Sequence, residues 1–212
     1  MKIEYFDLDN STLSIPVPEN YGDCICLISS DLYRFSGGVN SAIKIILKGL
    51  LPLGRNVLFW FRIASYRKGR FWWFCKLMYK IASWMSHVEI PPGTKVGYGL
   101  YMGHNMCIVI NEGTIIGNNV NISQFLNIGT NENTPAIIGD NVYIGPHVCI
   151  VENVHIGNNS TIGAGAVITR DIPENATVAG VPAKVLNYDN PGRYVAVSYT
   201  HLRAHETGAY LV

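Results

Sequence analysis

The chain has 212 residues, of which 48% are hydrophobic and 15% are charged. This composition excludes an intrinsically disordered protein and is typical of one folded domain, or of one domain with a smaller attachment. The formal net charge of +1 conceals a division: residues 32–88 contain ten basic and no acidic side chains, and the remainder carries a net charge of −9. We therefore expect two physically different parts.

Targeting and metal-binding signals are lacking in the sequence. The first residues are polar and acidic, which is unlike a signal peptide, and no apolar run is long enough for a membrane-spanning helix. The five cysteines are irregularly spaced, and no His, Cys or Asp cluster has the spacing of metal ligands. We expect a cytoplasmic protein with reduced thiols and no metal.

Residues 1–30 are interpreted as an N-terminal extension and 31–87 as a basic, aromatic, α-helical region. All four tryptophans lie in the latter, and two apolar stretches of helical length, 39–51 and 55–66, are separated by Pro52 and Gly54. Two interpretations stay open for this region: a helical cap that packs on the rest of the protein, or peripheral membrane attachment through 32–88. Nucleic acid is not an expected partner, because the remainder is acidic.

Aliphatic residues recur every six positions from residue 90 onward. The isoleucines of the last run are Ile138, Ile144, Ile150, Ile156, Ile162 and Ile168. Such a period keeps no single face on a helix, but it suits a stacked coil with three flat sides, an apolar core and Gly or Asn at its corners. Two breaks interrupt the register, one between 102 and 110 and one between 128 and 138. We expect loops, and therefore functional residues, at these breaks.

Residues 88–186 resemble the hexapeptide-repeat acyltransferases, and most of all their serine O-acetyltransferase branch. The resemblance rests on Val88-Glu-Ile-Pro-Pro-Gly-Thr-Lys-Val-Gly, on Ile162-Gly-Ala-Gly-Ala-Val-Ile and on the closing Val178-Ala-Gly-Val-Pro-Ala-Lys-Val. It implies a mainly β fold, a left-handed parallel β-helix preceded by an α-helical N-terminal region, in a homotrimer. Asp31-Leu-Tyr-Arg-Phe also resembles the helical start of serine-acetyltransferase-like proteins encoded for polysaccharide synthesis.

The resemblance also implies an activity, the transfer of acetyl from acetyl-CoA to a hydroxyl by general-base catalysis. His104, at the first break, matches the family's catalytic base, and an imidazole titrates near neutral pH. Glu89, fifteen residues earlier, matches the carboxylate that orients the base. Because fifteen residues are close to one coil, we expect the two side chains to approach each other across neighbouring rungs.

Acetyl-CoA is the implied co-substrate, and in this family it lies in a groove between coils of adjacent subunits. The small residues that match this groove are Gly129, Thr130, Gly163, Ala164, Gly165 and Ala166. Lys184 is the expected partner of a CoA phosphate, and Arg170 is a second candidate.

The sequence departs from the family at two places in the acceptor site. Gly103 stands where the family has an Asp that contacts serine, and Asn133, Thr134 and Pro135 replace an Arg-His-Pro triplet that holds the acceptor carboxylate. Each lost charge-assisted contact is typically worth about 1.5–3 kcal/mol. These losses weaken the expectation of free serine and favour an acceptor that has hydroxyls but is not a zwitterion, so the expected acceptor is L-serine or a sugar. The alternatives are a sugar or polysaccharide O-acetyltransferase of cell-surface glycan synthesis, and a non-catalytic β-helix scaffold.

Residues 187–212 form a tail with no hexads and no counterpart in the family, and a non-native origin is one interpretation of it. The expected location of the protein is the cytoplasm, at the inner face of the membrane if 32–88 attaches to lipid.

Overall fold

The computed structural model describes residues 1–8, 11–37, 41–50, 57–131 and 135–195. The chain begins with an antiparallel hairpin of β1 (Lys2–Leu8) and β2 (Ser11–Val17). Four helices follow: α1 (Tyr21–Ser36), α2 (Ala42–Leu50), α3 (Val57–Ser65) and α4 (Trp72–Ser86). The two apolar stretches thus contain α2 and α3. The predicted break at Pro52 and Gly54 lies outside the described residues, as does the tail from 196 onward.

The boundary expected between residues 30 and 31 falls inside α1. This helix begins ten residues earlier because the Asn20 side chain accepts a hydrogen bond from the Asp23 amide at 2.9 Å, which caps the first turn. It ends at Gly37, whose φ of +64° is readily adopted by glycine.

From Val88 onward the described chain forms a solenoid with three parallel faces. Face 1 consists of β4 (Lys95–Val96), β7 (Ile115–Ile116), β10 (Ile137–Ile138) and β13 (His155–Ile156). Face 2 consists of β5 (Tyr101–Met102), β8 (Asn121–Ile122), β11 (Tyr143–Ile144), β14 (Thr161–Ile162), β16 (Thr177–Ala179) and the antiparallel β17 (Lys184–Asn187). Face 3 consists of β3 (Val88–Glu89), β6 (Ile108–Ile110), β9 (Asn127–Ile128), β12 (Cys149–Ile150) and β15 (Val167–Ile168). The predicted three-sided coil is confirmed.

The strand register locates the two breaks of the repeat. Val96 pairs with Ile116, and Ile116 with Ile138, which lie 20 and 22 residues apart, whereas Ile138 and Ile156 lie 18 apart. The two longer coils hold insertions after Met102 and after Ile128, as the sequence predicted.

Asparagines stack at one corner of the solenoid. Asn119, Asn141 and Asn159 have φ values of 55°, 59° and 58°, in the left-handed region that asparagine tolerates better than most residues. Their side-chain amides hydrogen bond from coil to coil, with 3.3 Å from Asn119 to Asn141 and 3.0 Å from Asn141 to Asn159. The predicted role of these asparagines as turn formers is confirmed.

One buried ion pair joins the helices to the first coil. Asp31 of α1 and Arg62 of α3 are 1% and 2% exposed, and their two hydrogen bonds measure 2.9 and 3.0 Å. Arg62 also donates to the carbonyls of Val96 and Gly97, and Asp31 accepts from the Leu100 amide at 2.8 Å. Burial raises the pKa of the Asp31 carboxyl, and the charge of Arg62 opposes that rise.

Helix α4 packs on the start of the solenoid through polar contacts as well as apolar ones. The buried Tyr79 hydroxyl donates to the Ile90 carbonyl at 2.6 Å and accepts from the Ile90 amide at 2.9 Å. Ser83 donates to the Val88 carbonyl at 2.6 Å. The inner faces of the helical region therefore pack as the cap interpretation expects.

Within the described ranges, we find no helix with the length and apolar character needed to cross a membrane.

Candidate active site

His104 lies in the first insertion, at the edge where face 2 turns into face 3. The insertion runs from Gly103 to Cys107, between β5 and β6. The Met106 amide donates to the His104 carbonyl at 2.9 Å, which closes a tight turn, and the His104 side chain is exposed. The break in the repeat therefore presents this imidazole outside the regular coil.

A cavity of about 580 Å³ lies between this insertion and helices α1, α2 and α3. Its lining is Ile28, Asp31, Leu32, Phe35, Ile45, Gly49, Leu58, Phe59 and the run from Met102 to Met106. The walls are mostly apolar. Among the described residues of this lining, Asp31 is the only carboxylate, and its charge is already paired with Arg62.

Asn105 places an unsatisfied polar atom in the same cavity. Its side-chain carbonyl oxygen is buried and has no hydrogen-bond partner among the described residues. A buried acceptor without a partner costs roughly 1–3 kcal/mol, so this oxygen is suited to accept a hydrogen bond from a bound molecule. The sequence reasoning missed Asn105, and its position directly after His104 in the insertion was the available signal.

Glu89 points outward from β3, in register with Val109 on face 3. It lines a different cavity, of about 530 Å³, together with Arg67, Lys76 and Lys80. Neither a hydrogen bond nor an ion pair links Glu89 to His104 in the part of the chain that the structure describes. The described contacts therefore do not include the expected pairing of these two side chains.

In each later coil, the turn between face 2 and face 3 lies on the same edge of the solenoid as His104. The backbone hydrogen bonds of this edge run from the Phe125 amide to the Met106 carbonyl, from His147 to Gln124 and from Gly165 to Pro146, at 2.8–3.2 Å. Gly163, Ala164 and Gly165 therefore share the edge of His104, three rungs or about 14 Å away. The rings of Phe125 and His147 stack 4.4 Å apart between them.

The Gly163–Ala166 corner offers mainly backbone to a ligand. Ala164 and Gly165 are exposed, and a Cβ on Gly165 would meet nothing within 4 Å. The φ of +70° at Gly165 favours glycine. Ala166 is fully buried, and its amide and carbonyl are hydrogen bonded to Gly163 and Cys149, so it offers no surface to a ligand.

The other predicted cofactor residues lie elsewhere on the solenoid. Gly129, Thr130 and Arg170 lie at the opposite edge of face 3, where it turns into face 1, and Thr130 donates to Glu152 at 2.9 Å. Lys184 is exposed on β17. Among the acceptor residues, Gly103 lines the cavity beside His104, whereas Asn133 and Thr134 lie outside the described residues.

No group of three His, Cys, Asp or Glu side chains that could hold a metal ion occurs among the residues described.

Comparison with known proteins identifies the family. The family model for bacterial transferase hexapeptide, six repeats, matches residues 135–170. A serine acetyltransferase of Helicobacter pylori strain J99 is 32% identical over 146 residues, which cover 66% of this chain and 85% of the relative. The chain belongs to the serine acetyltransferase family of hexapeptide-repeat acyltransferases. A serine acetyltransferase of Synechococcus elongatus is 34% identical over 116 residues, and the match covers 52% of this chain and 47% of that relative.

Solved structures of the same family share the fold. The Neisseria gonorrhoeae serine acetyltransferase in complex with serine is 28% identical, with a TM-score of 0.61, 78% of this chain covered and 69% of that chain. A serine acetyltransferase in complex with CoA is 26% identical, with a TM-score of 0.61 and coverages of 77% and 68%. The prediction of a β-solenoid acyltransferase preceded by helices is confirmed.

Proposed function

We propose that the protein transfers an acetyl group from acetyl-CoA to a hydroxyl of a small acceptor, in the manner of a serine O-acetyltransferase. The observation that carries this proposal is the position of His104, beside a cavity of about 580 Å³ and on the edge that leads to the exposed Ala164 and Gly165. A cavity of this volume is within the range of small-molecule sites.

His104 acts as the general base. It takes the proton of the acceptor hydroxyl while that oxygen attacks the thioester carbonyl carbon, and it returns the proton to the sulfur as the carbon–sulfur bond breaks. Acetyl-CoA supplies the activated acetyl group, so the protein needs no covalent intermediate of its own. The proposed orienting role of Glu89 requires a hydrogen bond between its carboxylate and the His104 imidazole, which does not occur among the described contacts.

The residues expected to hold CoA fit an extended ligand. Gly129 and Gly165 both leave open space where a side chain would be, and Lys184 is an exposed cation suited to a phosphate. Gly129 lies at one edge of face 3 and Gly165 at the other. A single solenoid therefore supplies only one wall of a groove along this face. We therefore propose a homotrimer in which the neighbouring subunit supplies the other wall, and the structure of a related enzyme with CoA supports the choice of ligand.

Two acceptors remain candidates. Serine is bound by the Neisseria gonorrhoeae relative. A sugar hydroxyl of a cell-surface glycan is favoured by the lining of the cavity, since its described residues offer no unpaired charge to the ammonium or carboxylate of serine. The buried Asn105 oxygen could instead accept a hydrogen bond from a second sugar hydroxyl.

An acceptor panel separates these two candidates. Release of CoA thiol from acetyl-CoA is measured with serine, homoserine and a series of sugars and oligosaccharides. We expect turnover with a sugar to exceed turnover with serine. Turnover with serine alone would contradict the argument from the uncharged lining, and no turnover with any acceptor would contradict the proposed activity.

Substitution of the proposed base tests its role. His104→Ala should lower kcat/KM by roughly 10²–10⁴-fold because the hydroxyl loses its proton acceptor. CoA affinity, measured by calorimetry, should be retained. His155→Ala, on face 1, is the matched control and should keep normal turnover. An unchanged rate in His104→Ala would remove this residue from the mechanism.

Thiol protection tests the position of CoA. Cys149 is exposed on β12, between β9 and β15, so a molecule that reaches from Gly129 to Gly165 on one subunit crosses it. Saturating desulfo-CoA, which has no thiol, should slow alkylation of Cys149 by roughly 10-fold or more.

Two other cysteines serve as internal references for this measurement. Half-buried Cys26 of α1 should react at the same rate with and without the ligand. Buried Cys24 should stay unreactive, because burial raises the pKa of its thiol to about 12. Equal alkylation of Cys149 with and without desulfo-CoA would place CoA away from face 3.

A further inference from the structure

Helix α4 carries apolar side chains on two opposite faces. The inner face, with Cys75, Tyr79 and Ala82, is buried against the rest of the protein. The other face is exposed and is here named the outer stripe. It consists of Trp73, Phe74, Leu77, Ile81, Trp84 and Met85. Trp73 and Trp84 are 75% and 78% exposed, and their separation of three helical turns places them on one line.

This stripe is larger than the scattered apolar residues of an ordinary surface. Its six side chains include two tryptophans, whose large rings are costly to leave in water. Contiguous exposed apolar surface of this kind marks a place where a protein meets a partner or a membrane.

Lysines border the outer stripe along one side. Lys76 and Lys80 are one helical turn apart, and both line the cavity of about 530 Å³ that also contains Arg67. The Lys76 ammonium lies 4.8 Å from the ring centre of Trp72 and 5.6 Å from that of Trp73. Neither Lys76 nor Lys80 forms an ion pair with any described residue. The cations are therefore available beside the apolar surface.

The acidic groups at this cavity leave the lysines in excess. Glu112 pairs with Arg67, and Glu89 is the other carboxylate among the lining residues that the structure describes. No acidic residue occurs from 32 to 88, where ten basic residues occur. A second copy of the same surface would bring two such positive segments together, which is unfavourable. The surface that complements this region has apolar groups to contact the outer stripe and negative charges to contact Lys76 and Lys80.

We propose that the outer stripe of α4 docks on an anionic lipid bilayer. Trp73 and Trp84 enter the interfacial region, which tryptophan prefers, and Lys76 and Lys80 contact lipid phosphates. Because the inner face of α4 is held by the solenoid, the helix lies along the bilayer surface. This inference goes beyond the proposed acetyl transfer and places the enzyme at a lipid surface.

Sedimentation with vesicles tests the docking. The full chain is mixed at low ionic strength with phosphatidylcholine vesicles with and without phosphatidylserine, and bound protein and tryptophan emission are measured. We expect binding only to the anionic vesicles, with a blue shift of the emission, and loss of binding at high salt. Trp73→Ser/Trp84→Ser should abolish binding. Tyr5→Ser/Tyr188→Ser is the matched control, because it also replaces two exposed aromatic residues by serine but outside the outer stripe, and it should retain binding.

A charge variant and an assembly measurement complete the test. Lys80→Gln should weaken vesicle binding about 5-fold, and Lys2→Gln on β1 should leave it nearly unchanged. Circular dichroism checks that every variant is folded. The proposal is overturned if anionic vesicles do not bind the protein, or if the tryptophan variant binds them as well as the parent. It is also overturned if that variant changes the oligomeric state in sedimentation velocity, or if a DNA oligonucleotide binds through the same side chains.

Discussion

The buried pair of Asp31 and Arg62 is the contact on which the geometry of the site depends. Two charges in an apolar interior are tolerated only when they are paired and fully hydrogen bonded, and removal of one partner typically costs about 3–5 kcal/mol. Here the remaining hydrogen bonds go to Val96, Gly97 and Leu100, all in the first coil. The pair therefore fixes α1 and α3 against the solenoid in one arrangement, and those helices form the wall opposite His104.

The solenoid supplies the other half of the site through its repeat. In a regular coil each strand hydrogen bonds with the rungs below and above, and the inward side chains fill the core. Only an insertion frees a segment from this pattern, and the 103–107 insertion presents His104 and Asn105 to the cavity. The candidate site thus lies where the solenoid and helices α1, α2 and α3 meet.

The sequence predicted those parts of the fold that depend on the local six-residue repeat. The isoleucine period determined the three faces, and the breaks in it located both insertions, including the one with His104. The pairing of Glu89 with His104 stays a prediction: in the 20-residue first coil the residue above Glu89 is Val109, and His104 lies at the edge that precedes β6. The cavity and the unsatisfied Asn105 oxygen could not be predicted, since they depend on where α1 and α3 dock.

The two faces of α4 show the same division between local and tertiary information. The sequence shows that this helix is basic and aromatic, and that composition is consistent with both packing and membrane attachment. The structure assigns packing to the face that contains Tyr79 and leaves the outer stripe exposed. The two interpretations therefore concern different sides of one helix.

Hydrogen exchange of Asp31→Ala tests most directly whether this pair assembles the site, with Asp7→Ala at an exposed position as the control. The account predicts that backbone amides of α1, α3 and the 103–107 insertion lose protection, while strands from β7 to β15 keep theirs. Unchanged protection beside the cavity, or a uniform loss along all coils, would contradict it.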